Sequence, residues 1–582
     1  MLSDSHLKAL AAKAYGTDFS SIDLVNADCV TVNIQNGVIQ AGGATPVQKL
    51  RALSLTYLNK DKAHFAIAQS PAFEHVGVML DMSRGGVMRS EQVKEYITRL
   101  ALCGANMLML YTEDVYTLEE YPHFGYLRGA YTDEELLDID AHAASLGVEV
   151  IPCIQTLGHM AQYLTWKEET RGIKDTDSVM LCESEDTYRF IEAAVSKMSR
   201  IFRSRRIHIG MDESENMGLG KYLRQHGYQD RLEIFNRHIE RVLNICKKYN
   251  VAPMMWSDMF FKLINHTKNV RAHHYAHEAF TYEGKIPEVE MVCWSYYLKD
   301  EEGHAQMIKG HQPLGRPLVF AGTVYTTRGF VPNYQLTYEC AIPGVKACIH
   351  NNVKDVLATM WGDDGCETDY FDALYGFAVY SELCYNEHAT MNDMRCMGEL
   401  ISGVPTSTAL ASDEVYLLDR PKLLVWGDSF YNVTGVDFSK ETQYLHLQHA
   451  AESCEDEYVR LVLRIEYIKA HLYATLYHAY KQHEDLSVWR DELLPQLLAD
   501  YKRLYELHSE KYLRVNKPFG YEVLQSRYVT AIERTQYALD RICALMDGSI
   551  DKIEELEAEP RYGDVRKPWY SYIAFGRVMD FY

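Results

Sequence analysis

Short apolar runs alternate with amphipathic helical segments through the middle of this 582-residue chain. This alternation is typical of βαβ units, whose strands are parallel. Eight runs can be counted, at 77–80, 106–111, 148–154, 207–211, 253–256, 289–294, 317–323 and 356–360. Eight units over about 300 residues favour a (β/α)8 barrel over an open doubly wound sheet. No G-x-G-x-x-G or Walker loop follows any run, which argues against nucleotide binding.

The two ends of the chain differ from this middle part. Residues 1–70 mix short strand-like runs with a helical stretch at 46–58, and they predict a small α/β domain. The barrel is predicted over 71–403. Beyond it, strand patterns fade and long amphipathic segments dominate, at 444–481, 488–512 and 520–545. Residues 404–582 are therefore predicted to form an α-helical domain.

Charge and composition exclude several kinds of partner. The formal net charge of -22 argues against nucleic acid and anionic membrane surfaces, since both are bound through basic patches. No run reaches about 18 uninterrupted apolar residues, and the amino terminus lacks the pattern of a signal peptide, so a cytoplasmic location is expected. The thirteen cysteines include no C-x-x-C pair. His273 and His277 have the i, i+4 spacing of metal ligands on a helix, and His274 lies beside them. No Glu or third ligand stands in the required place, so neither a metal site nor a cofactor is predicted.

Polar and aromatic residues follow seven of the eight runs, where the catalytic groups of a parallel barrel lie. The fourth run ends in Asp212 and Glu213, and a buried pair of carboxylates is usually functional because it is costly to desolvate. The other runs contribute Arg84, Asp114, His159, Trp256, Trp294, Tyr296, Tyr297, Trp361 and Asp363. Charged groups bind hydroxyls and aromatic rings pack on a pyranose face, so these residues suit a saccharide. Glycoside hydrolysis needs an acid and a second stabilising group, which Glu213 and Asp212 could supply.

Six motifs in order give the chain a specific resemblance to glycoside hydrolase family 20, the exo-β-N-acetylhexosaminidases. They are G-V-M-L-D-M-S-R at 77–84, N-x7-D at 106–114, L-G-H at 157–159, H-I-G-M-D-E at 208–213, W-S-D at 256–258 and W-G-D at 361–363. The Q-T-L-G-H form and the missing secretion signal resemble the intracellular hexosaminidase D-like branch and its bacterial relatives. Members of that branch also carry a small leading α/β domain and a trailing helical domain.

The resemblance implies substrate-assisted hydrolysis of terminal, non-reducing β-linked GlcNAc or GalNAc, with retention of configuration. Glu213 would act as general acid and then base, and Asp212 would orient the acetamido group and stabilise an oxazolinium intermediate. Tyr297, or Tyr296 if the register differs by one, would hydrogen-bond the acetamido oxygen. The remaining residues would line the pocket (Trp256, Trp294, Trp361), hold sugar hydroxyls (Arg84, Asp114, Asp363) and support the acid (His159).

Other interpretations of the same residues stay open. The protein could be a retaining β-glycosidase whose nucleophile is a protein carboxylate, or a sugar-binding protein without catalysis. Asp212 and Glu213 could also form a structural ion-pair site. The preference between GlcNAc and GalNAc depends on the contacts made with O4. Related architectures make a homodimer possible.

Overall fold

The amino-terminal part of the protein is a four-stranded mixed sheet with two helices. A computed structural model describes residues 2–265, 284–363, 365–418, 421–432, 434–440 and 442–563. The sheet has the strand order β1-β3-β2-β4. Its elements are α1 (Asp4–Tyr15), β1 (Asp23–Asn26), β2 (Val30–Gln35), β3 (Val38–Gly43), α2 (Pro46–Asn59) and β4 (His64–Gln69). Thr45 caps α2 by accepting a hydrogen bond from the Gln48 N–H, and Pro46 fits the first helical turn.

Eight parallel strands form a closed barrel, which confirms the predicted (β/α)8 fold. The strands are β5 (His75–Asp81), β6 (Met107–Tyr111), β7 (Glu149–Cys153), β8 (Arg206–His208), β9 (Ala252–Trp256), β10 (Glu290–Trp294), β11 (Leu318–Thr323) and β12 (Asp355–Met360). Pairing of β12 with β5 closes the ring. Because all strands run in one direction, their carboxyl ends meet on one face of the barrel.

Helices connect the barrel strands and pack around them. They are α3 (Ser90–Cys103), α4 (Asp133–Leu146), α5 (Ala161–Leu164), α6 (Glu185–Ile201), α7 (Lys221–His226), α8 (Arg231–Lys248), α9 (Asp258–Asn265), α10 (Glu301–His311), a 3₁₀ turn (Gln312–Leu314), α11 (Tyr334–His350), α12 (Tyr370–Tyr385), α13 (Met391–Ser402) and α14 (Thr406–Glu414). The apolar core that includes the amino-terminal sheet and the barrel takes in Ala409 of α14 and, from the carboxyl-terminal part, Val515.

The carboxyl-terminal part is helical and has its own apolar core. Its elements are α15 (Pro421–Trp426), α16 (Tyr444–Ser453), α17 (Glu457–Lys481), a π-helical turn (Trp489–Leu493), α18 (Leu494–Val515), α19 (Tyr521–Met546) and a 3₁₀ turn (Glu554–Leu556). The continuous segment predicted at 444–481 is two helices, because Asp456 starts a new one by accepting a hydrogen bond from the Val459 N–H. In the part of the chain that the structure describes, no helix has the length and apolar character needed to cross a bilayer.

Candidate active site

The chain leaves β8 through an unusual turn that carries Asp212 and Glu213. Backbone φ angles are positive at Gly210 (71°), Met211 (78°) and Glu213 (43°). A Cβ at Gly210 would lie 2.0 Å from Gln155 Oε1, so only glycine fits there. Left-handed conformations are uncommon outside glycine, and the surrounding structure must hold them in place. This turn ends the strand three residues earlier than the predicted run of 207–211.

A cavity of about 160 Å³ opens beside this turn, at the carboxyl ends of the barrel strands. The predicted site residues that line it are Arg84, His159, Asp212, Glu213, Trp256, Trp294, Tyr296, Tyr297, Trp361 and Asp363. Asp114 is the exception. Its buried carboxylate lies outside the lining, and both of its oxygens are 3.3 Å from the Nε atom of Arg128. Contact between Asp114 and a sugar hydroxyl therefore stays a prediction.

His159 forms an ion pair with Asp212 at the floor of the cavity. Its Nε2 atom lies 3.0 Å from Asp212 Oδ2 and 3.6 Å from Glu213 Oε2. Burial disfavours the charged imidazolium, but the carboxylate of Asp212 outweighs it and raises the pKa of His159 to about 9. Burial also opposes ionisation of Asp212, but the charge of His159 holds the pKa of that carboxyl below its ordinary value. The pair therefore carries both charges at neutral pH.

Glu213 differs from its neighbour in both exposure and protonation. Half of its side chain, 50%, is exposed towards the cavity, whereas the Asp212 side chain is 13% exposed. Partial desolvation raises the pKa of Glu213 above its ordinary value, and the charge of Asp212 raises it further against the opposing effect of His159. A carboxyl group that keeps its proton nearer to neutral pH suits a general acid.

A third carboxyl group, Asp258, lies next to this pair and was not assigned from the sequence. It is buried, and its Oδ2 atom accepts a hydrogen bond of 3.4 Å from the backbone N–H of Glu213. Burial and the charges of Asp212 and Glu213 raise the pKa of Asp258 well above its ordinary value. Asp258 therefore holds a proton more readily than an ordinary aspartate, and it supports the Glu213 backbone. Its place in the W-S-D motif was the signal that could have found it.

Arg84 is fixed on one wall of the cavity by several carboxylates. Its guanidinium nitrogens lie 3.0 Å from Asp81 Oδ2, 3.4 Å from Glu113 Oε1 and 3.5 Å from Asp363 Oδ1. The guanidinium carbon also lies 5.2 Å from the centre of the Trp361 ring. These contacts give Arg84 and Asp363 a defined orientation, as recognition of sugar hydroxyls requires.

Aromatic side chains form the other walls. Trp256 is buried, and its Nε1 atom has no hydrogen-bond partner within the described residues. Trp361 Nε1 donates a 3.1 Å hydrogen bond to the hydroxyl oxygen of Tyr296, whose ring stacks on Trp294 at 5.0 Å. Tyr297 is 53% exposed at the mouth of the cavity. Tyr296 thus lies deeper than Tyr297, and both reach the cavity.

The end of β11 and the loop after it contribute lining residues that were not predicted from the sequence. They are Thr323, Tyr325, Thr327 and Arg328. The hydroxyl of Tyr325 donates to the backbone carbonyl of Tyr296, which joins this loop to the loop after β10. The signal was available, because the seventh run ends at residue 323 and a tyrosine and an arginine follow it closely.

Two sets of residues bear on metal binding. Among the described residues, no group of three or more His, Cys, Asp or Glu side chains could hold a metal ion. His273, His274 and His277 lie outside the described residues.

Two family models match the chain, and together they span more than half of it. The catalytic domain of glycosyl hydrolase family 20 matches residues 73–281, and the glycoside hydrolase 20C C-terminal domain matches residues 421–568.

Curated relatives and solved structures agree with these matches. Human hexosaminidase D is 23% identical over 58% of this chain and 65% of its own length. Beta-hexosaminidase of Vibrio furnissii is 27% identical over 26% of this chain and 30% of its own. The chain thus spans less than two thirds of either relative.

A solved structure shares the fold. The GH20 exo β-N-acetylglucosaminidase from Vibrio harveyi, in complex with N-acetylglucosamine, aligns with a TM-score of 0.51 and 16% identity over 69% of this chain and 72% of that one. The two family models and the ordered motifs at the barrel strand ends lead to one conclusion: the chain belongs to glycoside hydrolase family 20.

Proposed function

We propose that this protein is an exo-β-N-acetylhexosaminidase that releases terminal, non-reducing β-linked GlcNAc or GalNAc with retention of configuration. The observation that carries the proposal is the asymmetry between Asp212 and Glu213. Asp212 is held charged by His159 at 3.0 Å, whereas Glu213 has a raised pKa and half of its side chain faces the cavity. One group is suited to stabilise positive charge and the other to transfer a proton.

The chemistry of a retaining reaction follows from this division. Protonated Glu213 gives its proton to the glycosidic oxygen while the acetamido oxygen of the substrate attacks the anomeric carbon. The positive oxazolinium intermediate forms beside the negative charge of Asp212. Because Asp212 is already in place, no reorganisation is needed when positive charge develops on the substrate. Deprotonated Glu213 then takes a proton from water while the water oxygen attacks the anomeric carbon. This attack opens the oxazolinium ring, and the proton returns Glu213 to its starting state.

Substrate binding is assigned to the walls of the same cavity. Arg84 and Asp363 are held at 3.5 Å from each other, a spacing at which both can contact neighbouring sugar hydroxyls. Three tyrosines, Tyr296, Tyr297 and Tyr325, reach the cavity and are candidates to hold the acetamido oxygen. The bound N-acetylglucosamine of the Vibrio harveyi protein supports a HexNAc ligand for this fold.

The proposal is tested with the 4-nitrophenyl β-glycosides of GlcNAc, GalNAc and glucose. We expect turnover only of the two sugars that carry an acetamido group, and inhibition by a GlcNAc-thiazoline. Glu213→Gln should lower kcat about 10²- to 10⁴-fold and Asp212→Asn about 10²- to 10³-fold. Glu192→Gln is the matched control, because Glu192 pairs with Lys248 and does not line the cavity.

Two results would contradict this function. Comparable activity on the glucoside would mean that the nucleophile does not come from the substrate. Covalent trapping by a 2-deoxy-2-fluoro glycoside would point instead to a protein carboxylate nucleophile.

Replacing each of the three tyrosines by phenylalanine identifies the residue that contacts the acetamide. The variant with the largest loss in kcat marks that residue.

We further propose that the protein works in the cytoplasm as a monomer or homodimer on short glycans or glycoconjugates. Its acidic charge of -22 disfavours nucleic acid and anionic membranes as partners. Light scattering after gel filtration measures the oligomeric state, and cell fractionation measures the location.

A further inference from the structure

The carboxyl-terminal helices pack against the loops that carry the cavity. Near β5, the backbone N–H of Lys517 donates to the Val87 carbonyl at 2.7 Å, and the Arg89 N–H donates to the Val515 carbonyl at 3.0 Å. In the loop after β11, the backbone carbonyl of Phe330 accepts a 3.4 Å hydrogen bond from the hydroxyl of Tyr458. The helices thus support the barrel on its carboxyl-terminal face, where the proposed substrate binds.

Lys422 in α15 joins two of the cavity loops. Its Nζ atom donates a 2.8 Å hydrogen bond to the backbone carbonyl of Asp363, and its backbone N–H donates to the Arg328 carbonyl at 3.4 Å. Asp363 follows β12 and Arg328 follows β11, and both line the cavity. Only 5% of the Lys422 side chain is exposed, so its contacts are protected from water.

Glu367 provides the counter-charge for this lysine. Its side chain is fully buried, and an oxygen lies 2.6 Å from Lys422 Nζ. The helical part supplies two further donors to the same carboxylate, Arg527 at 2.7 Å and the Trp426 indole N–H at 3.2 Å. A buried carboxylate that loses its partners is strongly destabilised, so the loop after β12 is tied to these helices.

From these contacts we propose that Lys422 is a positioning residue that sets the place of Asp363, so that the carboxyl-terminal helices complete the sugar-binding end of the cavity. The inference rests on the proposed function, in which Asp363 binds a sugar hydroxyl. Lys422 fixes the Asp363 backbone through the hydrogen bond to its carbonyl, and Arg84 lies 3.5 Å from the Asp363 carboxylate. Without the lysine, the backbone carbonyl of Asp363 loses its buried donor and the carboxylate loses its fixed distance to the substrate.

The test uses Lys422→Met in the full chain, which keeps the length of the side chain and removes its donors. We expect KM for the GlcNAc glycoside to rise about tenfold while kcat changes much less, because the contact affects binding and not proton transfer. In an Asp363→Ala background the same substitution should have almost no further effect, since the two residues act in series. Lys422→Arg should restore part of the affinity.

Lys511→Met is the matched control. Lys511 joins the same two parts of the protein by pairing with Asp372 of α12, and within the described part of the chain its ion pair involves no residue that lines the cavity. It should lower thermal stability with KM unchanged. In Lys422→Met the buried Glu367 keeps its ion pair with Arg527 at 2.7 Å, so the remaining charges still balance, and a thermal unfolding curve of the variant shows whether it folds. A second variant, Lys422→Leu, removes the same donors with a side chain of different shape.

The outcomes separate the inference from the function. If Lys422→Met and Lys422→Leu both keep the wild-type KM, or if their effect adds fully to that of Asp363→Ala, Lys422 has only a structural role and the inference is wrong. Calorimetric titration with GlcNAc measures the effect of the same contact on binding without turnover. We expect Kd to be about tenfold weaker in Lys422→Met. Wild-type protein that binds GlcNAc without hydrolysing its glycosides would contradict the proposed function alone.

Discussion

Replacement of Asp212 by asparagine should change the protonation of His159. In the wild-type protein the Asp212 carboxylate lies 3.0 Å from His159 Nε2. Asparagine has nearly the same shape and removes only the charge. The remaining neighbours of the imidazole are the Glu213 carboxylate at 3.6 Å, the Glu113 carboxylate at 3.9 Å and the Arg84 guanidinium at 3.3 Å. The variant therefore isolates the effect of one charge on one ring.

The size of the effect follows from the pKa of His159, which rises from 6.5 to about 9 in the folded protein. At about 1.4 kcal/mol for each tenfold change in proton affinity, the difference corresponds to about 3 kcal/mol. Burial and Arg84 both lower the pKa of His159, so without Asp212 the imidazole should be neutral near pH 8.

The dependence of stability on pH has a definite sign. A histidine with a raised folded pKa contributes stability that is complete below about 6.5 and is lost as pH rises through about 9. The lowered pKa of Asp212 contributes stability above its ordinary value of 3.8, which is lost as the solution becomes more acidic. The wild-type protein should therefore exceed Asp212→Asn in free energy of unfolding most clearly between about pH 4.5 and 6.5. The difference should shrink above pH 9.

Proton NMR of the imidazole Cε1–H signals measures the change directly. The His159→Gln variant assigns the signal among the 23 histidines. We expect His159 to titrate near pH 9 in the wild type and below pH 6.5 in Asp212→Asn. Glu113→Gln is the control with a weaker effect, because its carboxylate is farther from the ring. An unchanged titration in Asp212→Asn would refute the assignment of the ion pair and of the charged state of Asp212.

Three further predictions concern buried groups. Arg51→Met should lower the free energy of unfolding in urea by about 3–5 kcal/mol, because it leaves Glu382, at 2.7 Å in a buried ion pair, without a partner; a loss below about 1 kcal/mol would contradict this. Asp258→Asn should keep most of kcat/KM at neutral pH, since the pKa of that carboxyl is raised well above its ordinary value and an amide resembles the protonated form, whereas Asp258→Leu should lose it. In the native protein Cys396 should react first with Ellman's reagent, because it is the exposed cysteine, and Cys396→Ser should remove that fast phase.

The barrel was predictable because its strands are buried on both faces. Parallel strands between helices appear in a sequence as continuous apolar runs, and each of the eight runs overlaps a barrel strand. The turn at 210–213 could not be predicted in this way. Met211 is apolar and extends the run, yet its φ is positive, and the adjacent Gly210 is crowded by Gln155, which is distant in sequence.

The site was predictable to the extent that it depends on strand ends. Residues after separate runs meet at one cavity because the barrel brings all carboxyl ends together. Asp114 also follows a run, but Arg128 in the same loop takes its carboxylate, and such local competition leaves no signal in the spacing. Lys422 lies outside the barrel sequence altogether, so its contact with Asp363 could come only from the packing of the helices.

Protonation was the property least accessible to the sequence, because it depends on how charges are shared among neighbouring groups. Asp212, Glu213 and Asp258 are three carboxyl groups in one small region, and burial raises the proton affinity of each. The imidazolium of His159 lies closest to Asp212, so the pKa of that carboxyl alone is lowered. Its negative charge in turn raises the pKa of the other two, and the total rise is larger for the buried Asp258 than for the half-exposed Glu213. One cation therefore divides three similar residues into a fixed charge, a proton donor and a support whose pKa is strongly raised.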